Sequence, residues 1–243
     1  MTDTLRLAVF DCDGTLVDSQ HSIYASLKAA CERHSYAPPT HEAARRVVGL
    51  PLLDAIAMAV PGAGGADLEK LREGYSEAFF NLRQTGNIEE PLFPGADNSL
   101  DAFEADGWLL GVATGKSRRG LLATLGGHGL LERFVTLQTS DSVPTGKPAP
   151  DMLLQAMAET GVRPENTVMI GDTTFDVEMA RNAGVVAVGV AWGYHDSNEL
   201  IEAGARGVVQ TYDDLKRVVD EAWEKEKCGR CGRSWSASSS CCC

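Results

Sequence analysis

The chain has 243 residues, 44% of them hydrophobic and 23% charged, enough for one sizeable core or a core with a smaller accessory layer. Its formal charge of -12, from 34 acidic against 22 basic side chains, argues against nucleic acid, a partner that calls for a basic face. No apolar run reaches the roughly 18 residues that cross a bilayer, and the N-terminus has no signal-like leader, so no membrane partner and a cytoplasmic setting are expected.

The first element is an apolar run over residues 5–10, read as a strand buried on both faces. It delivers Asp11-Cys12-Asp13-Gly14-Thr15 at its tip. Side chains two apart in extended backbone point the same way, so Asp11 and Asp13 face one pocket while Cys12 turns into the packing. Gly14 permits the close turn off the strand. From about residue 18 to 92 no strand pattern is present. Ile23, Leu27, Ala30 and Cys31 mark one helical stripe. Leu68, Leu71, Tyr75, Ala78, Phe79 and Leu82 mark another, and the glycine-rich segment 61–65 is a loop before it. This interval reads as a small all-helical insert.

The sheet resumes near Phe93-Pro94-Gly95. A helix is predicted over 101–107, a strand over 109–113, a helix over 121–131 and a weaker strand over 134–138. Next come a helix over 150–160, opened by proline and stopped by Gly161, and strands over 167–170 and 185–190. A helix over 213–226 closes the body. Strand and helix in alternation give the α/β class, a Rossmann-like open parallel sheet with right-handed crossovers. Of seven cysteines, Cys228, Cys231, Cys241, Cys242 and Cys243 crowd the end. Residues 228–243, with their serines, are expected to be a disordered tail.

In an open α/β sheet ligands bind beyond the carboxyl ends of the strands, where both aspartates emerge. Two carboxylates in different surroundings suit a nucleophile and a general acid/base, though an acidic β-turn would place them similarly. Thr114 could be a helix N-cap, Lys147 a solvated loop lysine and Asp172 a cap on the helix that follows it. All four positions, however, lie at carboxyl ends of predicted strands or just beyond them.

The segment from Asp11 to Ser19 resembles the first motif of the haloacid dehalogenase-like hydrolase superfamily. Thr114-Gly115-Lys116, Gly146-Lys147-Pro148 and Gly171-Asp172-Thr173-Thr174-Phe175-Asp176 resemble its second, third and fourth motifs, in order. The resemblance implies an enzyme, a phosphatase that forms a phospho-aspartyl intermediate on Asp11. It makes Asp13 the general acid/base, gives Thr114 and Gly115 a phosphoryl-binding role, and uses Lys147 to balance charge and orient the nucleophile. Thr15 is expected to hold Asp13 in place. The implied ion is Mg²⁺, held by Asp11, the backbone carbonyl of Asp13 and Asp172, with Asp176 standing behind it. Several ionised carboxylates in one pocket need such a cation, since two of them about 5 Å apart repel by about 3 kcal/mol at an effective dielectric near 20.

The aspartate at position 13 favours phosphate esters over dehalogenation, because a halide leaves without a proton. The insert resembles the C1 helical cap of the superfamily's subfamily I. The implied organisation is a core of residues 1–17 and 93–227 with a cap of residues 18–92. The cap loop around Gly49 is similar to that of phosphoglycolate phosphatases, with Gly49 permitting close approach of the substrate and Arg45 and Arg46 as candidate contacts for a substrate carboxylate; a solvated helix face is the alternative for both arginines. A small phosphorylated metabolite is the expected partner. Sugar-phosphate mutase and pyrophosphatase chemistry share these residues, and a non-enzymatic phospho-receiver module is the alternative of another class.

Overall fold

A computed structural model describes residues 5–230, with side chains through residue 225. The expected tail from residue 231 onward, and the side chain of Cys228, lie outside the described residues.

In chain order the elements begin with β1 (Arg6–Phe10), α1 (Gln20–Arg33), α2 (His41–Arg45), α3 (Leu52–Ala59) and α4 (Ala66–Gln84). Then follow α5 (Ala96–Ala105), β2 (Trp108–Thr114), α6 (Arg118–Gly127), β3 (Phe134–Thr139) and α7 (Asp151–Thr160). The chain continues through β4 (Thr167–Gly171), α8 (Thr174–Asn182), β5 (Val186–Val190), α9 (Ser197–Ala203), β6 (Val208–Val209) and α10 (Tyr212–Arg230). All strands run parallel in the order β3-β2-β1-β4-β5-β6.

The continuous apolar character of the strands follows from their two covered faces. Ala8 and Phe10 of β1 point into a layer with Phe103 of α5, Leu121 of α6 and Leu215 of α10. Leu7 and Val9, one residue out of phase, point into the opposite layer with Met152 of α7 and Val177 of α8. Each fully buried leucine or phenylalanine contributes about 1.5–3 kcal/mol of transfer free energy. Helices α1 to α4 have an apolar cluster of their own, built on Leu27, Ala30, Cys31, Ile56 and Leu71. Val17 and Leu92 tie the start and finish of that helical segment in an antiparallel bridge, flanked by Asp18 N–H donating to Pro91 O and Phe93 N–H to Leu16 O.

The boundaries of three helices differ most from expectation. Helix α5 starts at Ala96 because Gly95 turns the chain at φ 88° and Ala96, Leu100 and Phe103 form the buried stripe. Helix α6 ends at Gly127, where Gly126-Gly127 and the left-handed Gly129 break the pattern, so Leu130 and Leu131 belong to the turn after it. Helix α10 runs on past Cys228 to Arg230. Strand β6, two residues long, had no sequence pattern to announce it. Among the described residues no helix is long and apolar enough to cross a membrane.

Candidate active site

Strand order places the site. Consecutive strands step one way from β1 to β3 and then restart on the other side at β4, so the crevice beyond the β1 and β4 tips is the switch point of the sheet. Asp11 follows β1, its N–H donating to Ile170 O of β4, and Asp172 follows β4.

Asp11, Asp172 and Asp176 each bring a carboxylate oxygen to within 4.8 Å of the others, and all three are buried. Lys147, a buried side chain, lies 2.9 Å from Asp11 Oδ1 and 2.6 Å from Asp176 Oδ1. One ammonium against three carboxylates leaves an excess of negative charge among buried side chains. Burial pushes the Asp11 carboxyl up to about 7, with Asp176 and Asp13 adding to the rise and Lys147 opposing it. Burial, then Asp11 and Asp176, raises Asp172 well above the carboxylate range. Lys147 moves up as well: burial opposes its charge, but attraction to Asp11 and Asp176 prevails. Asp11 Oδ2 is buried with no hydrogen-bond partner. Hard oxygen donors, excess negative charge and an orphaned carboxylate oxygen fit a divalent cation.

The surroundings fix these groups in place. Thr15 Oγ1 donates to Asp172 Oδ1 at 2.8 Å and Tyr194 N–H to Asp172 Oδ2 at 2.9 Å. Thr15 therefore steadies Asp172 and does not hold Asp13; the turn at Gly14 (φ 84°) carries its hydroxyl toward the β4 tip. Thr173, not Asp172, caps α8, and Asp176 closes the capping box by accepting from Thr173 N–H and Oγ1. A Cβ at Gly14 or Gly193 would overlap the Asp172 carboxyl group. Gly193→Ala is accordingly expected to weaken divalent-ion affinity by roughly 10–100-fold, as the loss of a ligand's supporting shell does. Calorimetric titration of the folded variant checks this, and unchanged affinity would refute the role given to Gly193.

Asp13 stands apart from the three-carboxylate cluster. Lys116 Nζ lies 2.6 Å from its Oδ1, and Ser19 Oγ donates to the same oxygen. Lys116 also lies 3.0 Å from Glu90, which receives Arg83 at 2.5 Å and Thr124 Oγ1 at 3.1 Å. Lys116 is held well above the lysine range: burial opposes, and attraction to Asp13 and Glu90 outweighs it. Thr114, buried at the β2 tip, accepts the Lys116 N–H, while Ser117 caps α6.

Above these groups lies a cavity of about 640 Å³ whose wall includes Asp11, Asp13, Thr114, Gly115, Lys116 and Gly49. Gly115 is required there, because a Cβ would come within 2.6 Å of both Gly49 O and Leu50 O. The loop at Gly49 (φ 98°) is therefore seated directly on the β2 tip. Arg45, expected to reach a substrate carboxylate, is not part of the cavity wall. Its guanidinium donates to Gly193 O at 3.0 Å and lies over the Tyr194 ring, so it ties α2 to the loop after β5. Sequence reasoning missed Ser19 as a partner of Asp13, Tyr194 as a partner of Asp172 and Glu90 as a partner of Lys116, and gave Lys116 no role. Lys116 sits within the second motif and could have been noticed; nothing local distinguishes Glu90 or Tyr194.

The model of the family described as haloacid dehalogenase-like hydrolase matches residues 8–190. A relative in Dickeya dadantii (strain 3937) named "Probable phosphatase IndB" is 33% identical over 211 residues, covering 86% of this chain and 91% of the relative. A "Phosphoglycolate phosphatase" of Xylella fastidiosa (strain 9a5c) is 31% identical over 197 residues, covering 80% and 85%. The crystal structure of a hydrolase from Pseudomonas syringae superposes with a TM-score of 0.78 at 27% identity, covering 90% of this chain and 99% of that one.

Proposed function

We propose that this chain, which belongs to the haloacid dehalogenase-like hydrolases, is a Mg²⁺-dependent phosphatase that takes phosphate from a small monoester through a phospho-aspartyl intermediate on Asp11. Its being a phosphatase rests on the family and on relatives that bear that name. The observation that carries the assignment of roles is the divided state of the Asp11 carboxylate. One oxygen is held by Lys147, and the other is buried without a partner. An unpaired buried acceptor costs about 1–3 kcal/mol, a penalty relieved when a ligand supplies what is missing.

We assign the steps of the reaction to these residues. A carboxylate oxygen of Asp11 attacks phosphorus, the bond from phosphorus to the alcohol oxygen breaks, and Asp13 gives the departing oxygen its proton. Asp13 then takes a proton from the water that attacks the aspartyl phosphate, which frees inorganic phosphate and restores the Asp11 carboxylate. Lys147 holds Asp11 in position throughout. Thr114 accepts from Lys116 N–H, which leaves its own hydroxyl proton for a phosphoryl oxygen. Asp11, Asp172 and the carbonyl of Asp13 would hold Mg²⁺, which supplies charge neutralisation when bound. Asp176 is engaged by Lys147 and Thr173 and stands behind that set. Helices α1 to α4, within residues 18–92, act as the cap over a core of residues 1–17 and 93–227, with Gly49 in the pocket wall.

The test is phosphate release from p-nitrophenyl phosphate by the full chain. Activity is expected with Mg²⁺ and expected to fall roughly 100-fold or more after chelation, with recovery when Mg²⁺ is restored. A rate indifferent to chelation would count against the ion, and no release at all against the phosphatase reading.

A further inference from the structure

We infer that the alcohol half of the substrate is apolar and about the size of a ring, so that this chain prefers phosphate monoesters of arylalkyl or alicyclic alcohols to those of glycolate or sugars. The inference rests on the phosphatase reading above and extends it from the reaction to the class of substrate.

Size is the first argument. A cavity of about 640 Å³ lies in the middle of the range that takes drug-sized ligands. Glycolate is a two-carbon acid and would leave most of it unfilled. The character of the wall is the second. Leu27, Val48, Leu53, Ile56 and Phe79 line the chamber above the reacting groups, and Phe80, 46% exposed, continues the apolar surface outward. Among the polar wall residues, Ser76 spends its hydroxyl proton on Arg72 O. A sugar's hydroxyls brought against Leu27, Val48, Leu53, Ile56 and Phe79 would leave water without replacement partners, at about 1–3 kcal/mol each, while Tyr75, Gln84, Ser117 and Ser140 stand elsewhere in the wall.

Charge is the third argument. The carboxylate of phosphoglycolate is one methylene from the ester oxygen, so the cation that receives it must stand close to Asp11 and Asp13. Lys116 is the lysine of that wall, and it is already shared between Asp13 at 2.6 Å and Glu90 at 3.0 Å. Arg83 is paired with Glu90 at 2.5 Å and Arg72 with Glu69 at 2.6 Å. Arg119 is exposed and lies over the Phe80 ring, on the outer part of the wall. Asp141, a further wall residue, adds negative charge and accepts from Arg118 N–H and Thr139 Oγ1. Among the described residues a second anionic group on the substrate therefore has no uncommitted cation beside the phosphoryl site, whereas an apolar ring meets complementary surface.

Steady-state kinetics on the Mg²⁺-loaded full chain test this with benzyl phosphate, cyclohexylmethyl phosphate, 2-phosphoglycolate and glucose 6-phosphate. All four are esters of alkyl alcohols, so differences in leaving-group acidity do not decide the outcome. The kcat/KM for the two apolar esters is expected to exceed that for 2-phosphoglycolate by roughly tenfold or more. In Leu53→Asn, shown folded by its melting temperature, that ratio is expected to shrink by roughly tenfold. An equal or higher kcat/KM for 2-phosphoglycolate or glucose 6-phosphate would overturn the substrate class and leave the phosphatase reading standing. A ratio unmoved in the Leu53 variant would overturn the role given to the chamber. If none of these esters and not even p-nitrophenyl phosphate is hydrolysed, the phosphatase reading fails and the substrate class with it.

Discussion

Asp11→Asn is expected to lower phosphate release by a factor of roughly 10⁴ to 10⁶ while the protein stays folded, the scale seen when a covalent nucleophile is removed. An amide of the same shape keeps the packing at the β1 tip, where Asp11 is buried and its Oδ1 accepts Cys12 N–H at 2.6 Å. What it loses is the anionic oxygen that no protein group satisfies. The structural cost is small because burial already favours the uncharged form at this position. The melting temperature without divalent ion is therefore expected to be retained at pH 5, where the folded parent keeps Asp11 protonated. The gain in melting temperature on adding Mg²⁺ is expected to shrink, since a ligand oxygen has been neutralised. Turnover by the asparagine variant within tenfold of the parent would remove Asp11 from the nucleophile's role.

The same site makes the ion-free protein less stable as pH rises. Asp11 titrates near 7 in the folded chain against 3.8 unfolded, chiefly because burial disfavours its charge. Between those values the folded state holds a proton that the unfolded state has released, so stability falls with increasing pH. The contribution is fully present below about pH 4 and gone just above pH 7. It amounts to about 4 kcal/mol, which in a chain of this length moves the melting temperature by roughly 10 °C. Asp172, also raised by burial, acts in the same direction. His195 is lowered by burial and acts the other way, but only below its ordinary value of 6.5. Melting curves of chelated protein from pH 5 to pH 8 are thus expected to fall, and saturating Mg²⁺ to restore most of the loss at pH 8 by taking the proton's place. A chelated melting temperature that is flat or rising over this range would show that the carboxylates are not desolvated as described.

Several of the site residues could be read from the chain alone because each is attached to a strand end. Strands covered on both faces must be apolar throughout, so residues such as Leu7 to Phe10 declare themselves, and whatever polar group follows is delivered to the sheet's edge. Asp11, Thr114 and Asp172 are legible for that reason, and the helical segment after β1 is legible from its three- and four-residue spacing. Boundaries were less so: β6 is too short for a pattern to form, and the start of α5 depends on Gly95 and on burial against the sheet.

Local sequence determined the kinds of element, their order and the chemical groups at their ends, because periodic burial is written residue by residue. Only the tertiary structure decided which of those groups meet. Asp11, Asp172 and Asp176 converge because β4 pairs with β1. Thr15 serves Asp172, Lys116 and Ser19 serve Asp13, and Arg45 reaches Gly193 instead of the cavity. Apart from that of Ser19 with Asp13, six residues away, these pairings join residues far apart in the chain, and their distances are set by strand order and by how the helical segment seats on the sheet, which no stretch of neighbouring residues specifies.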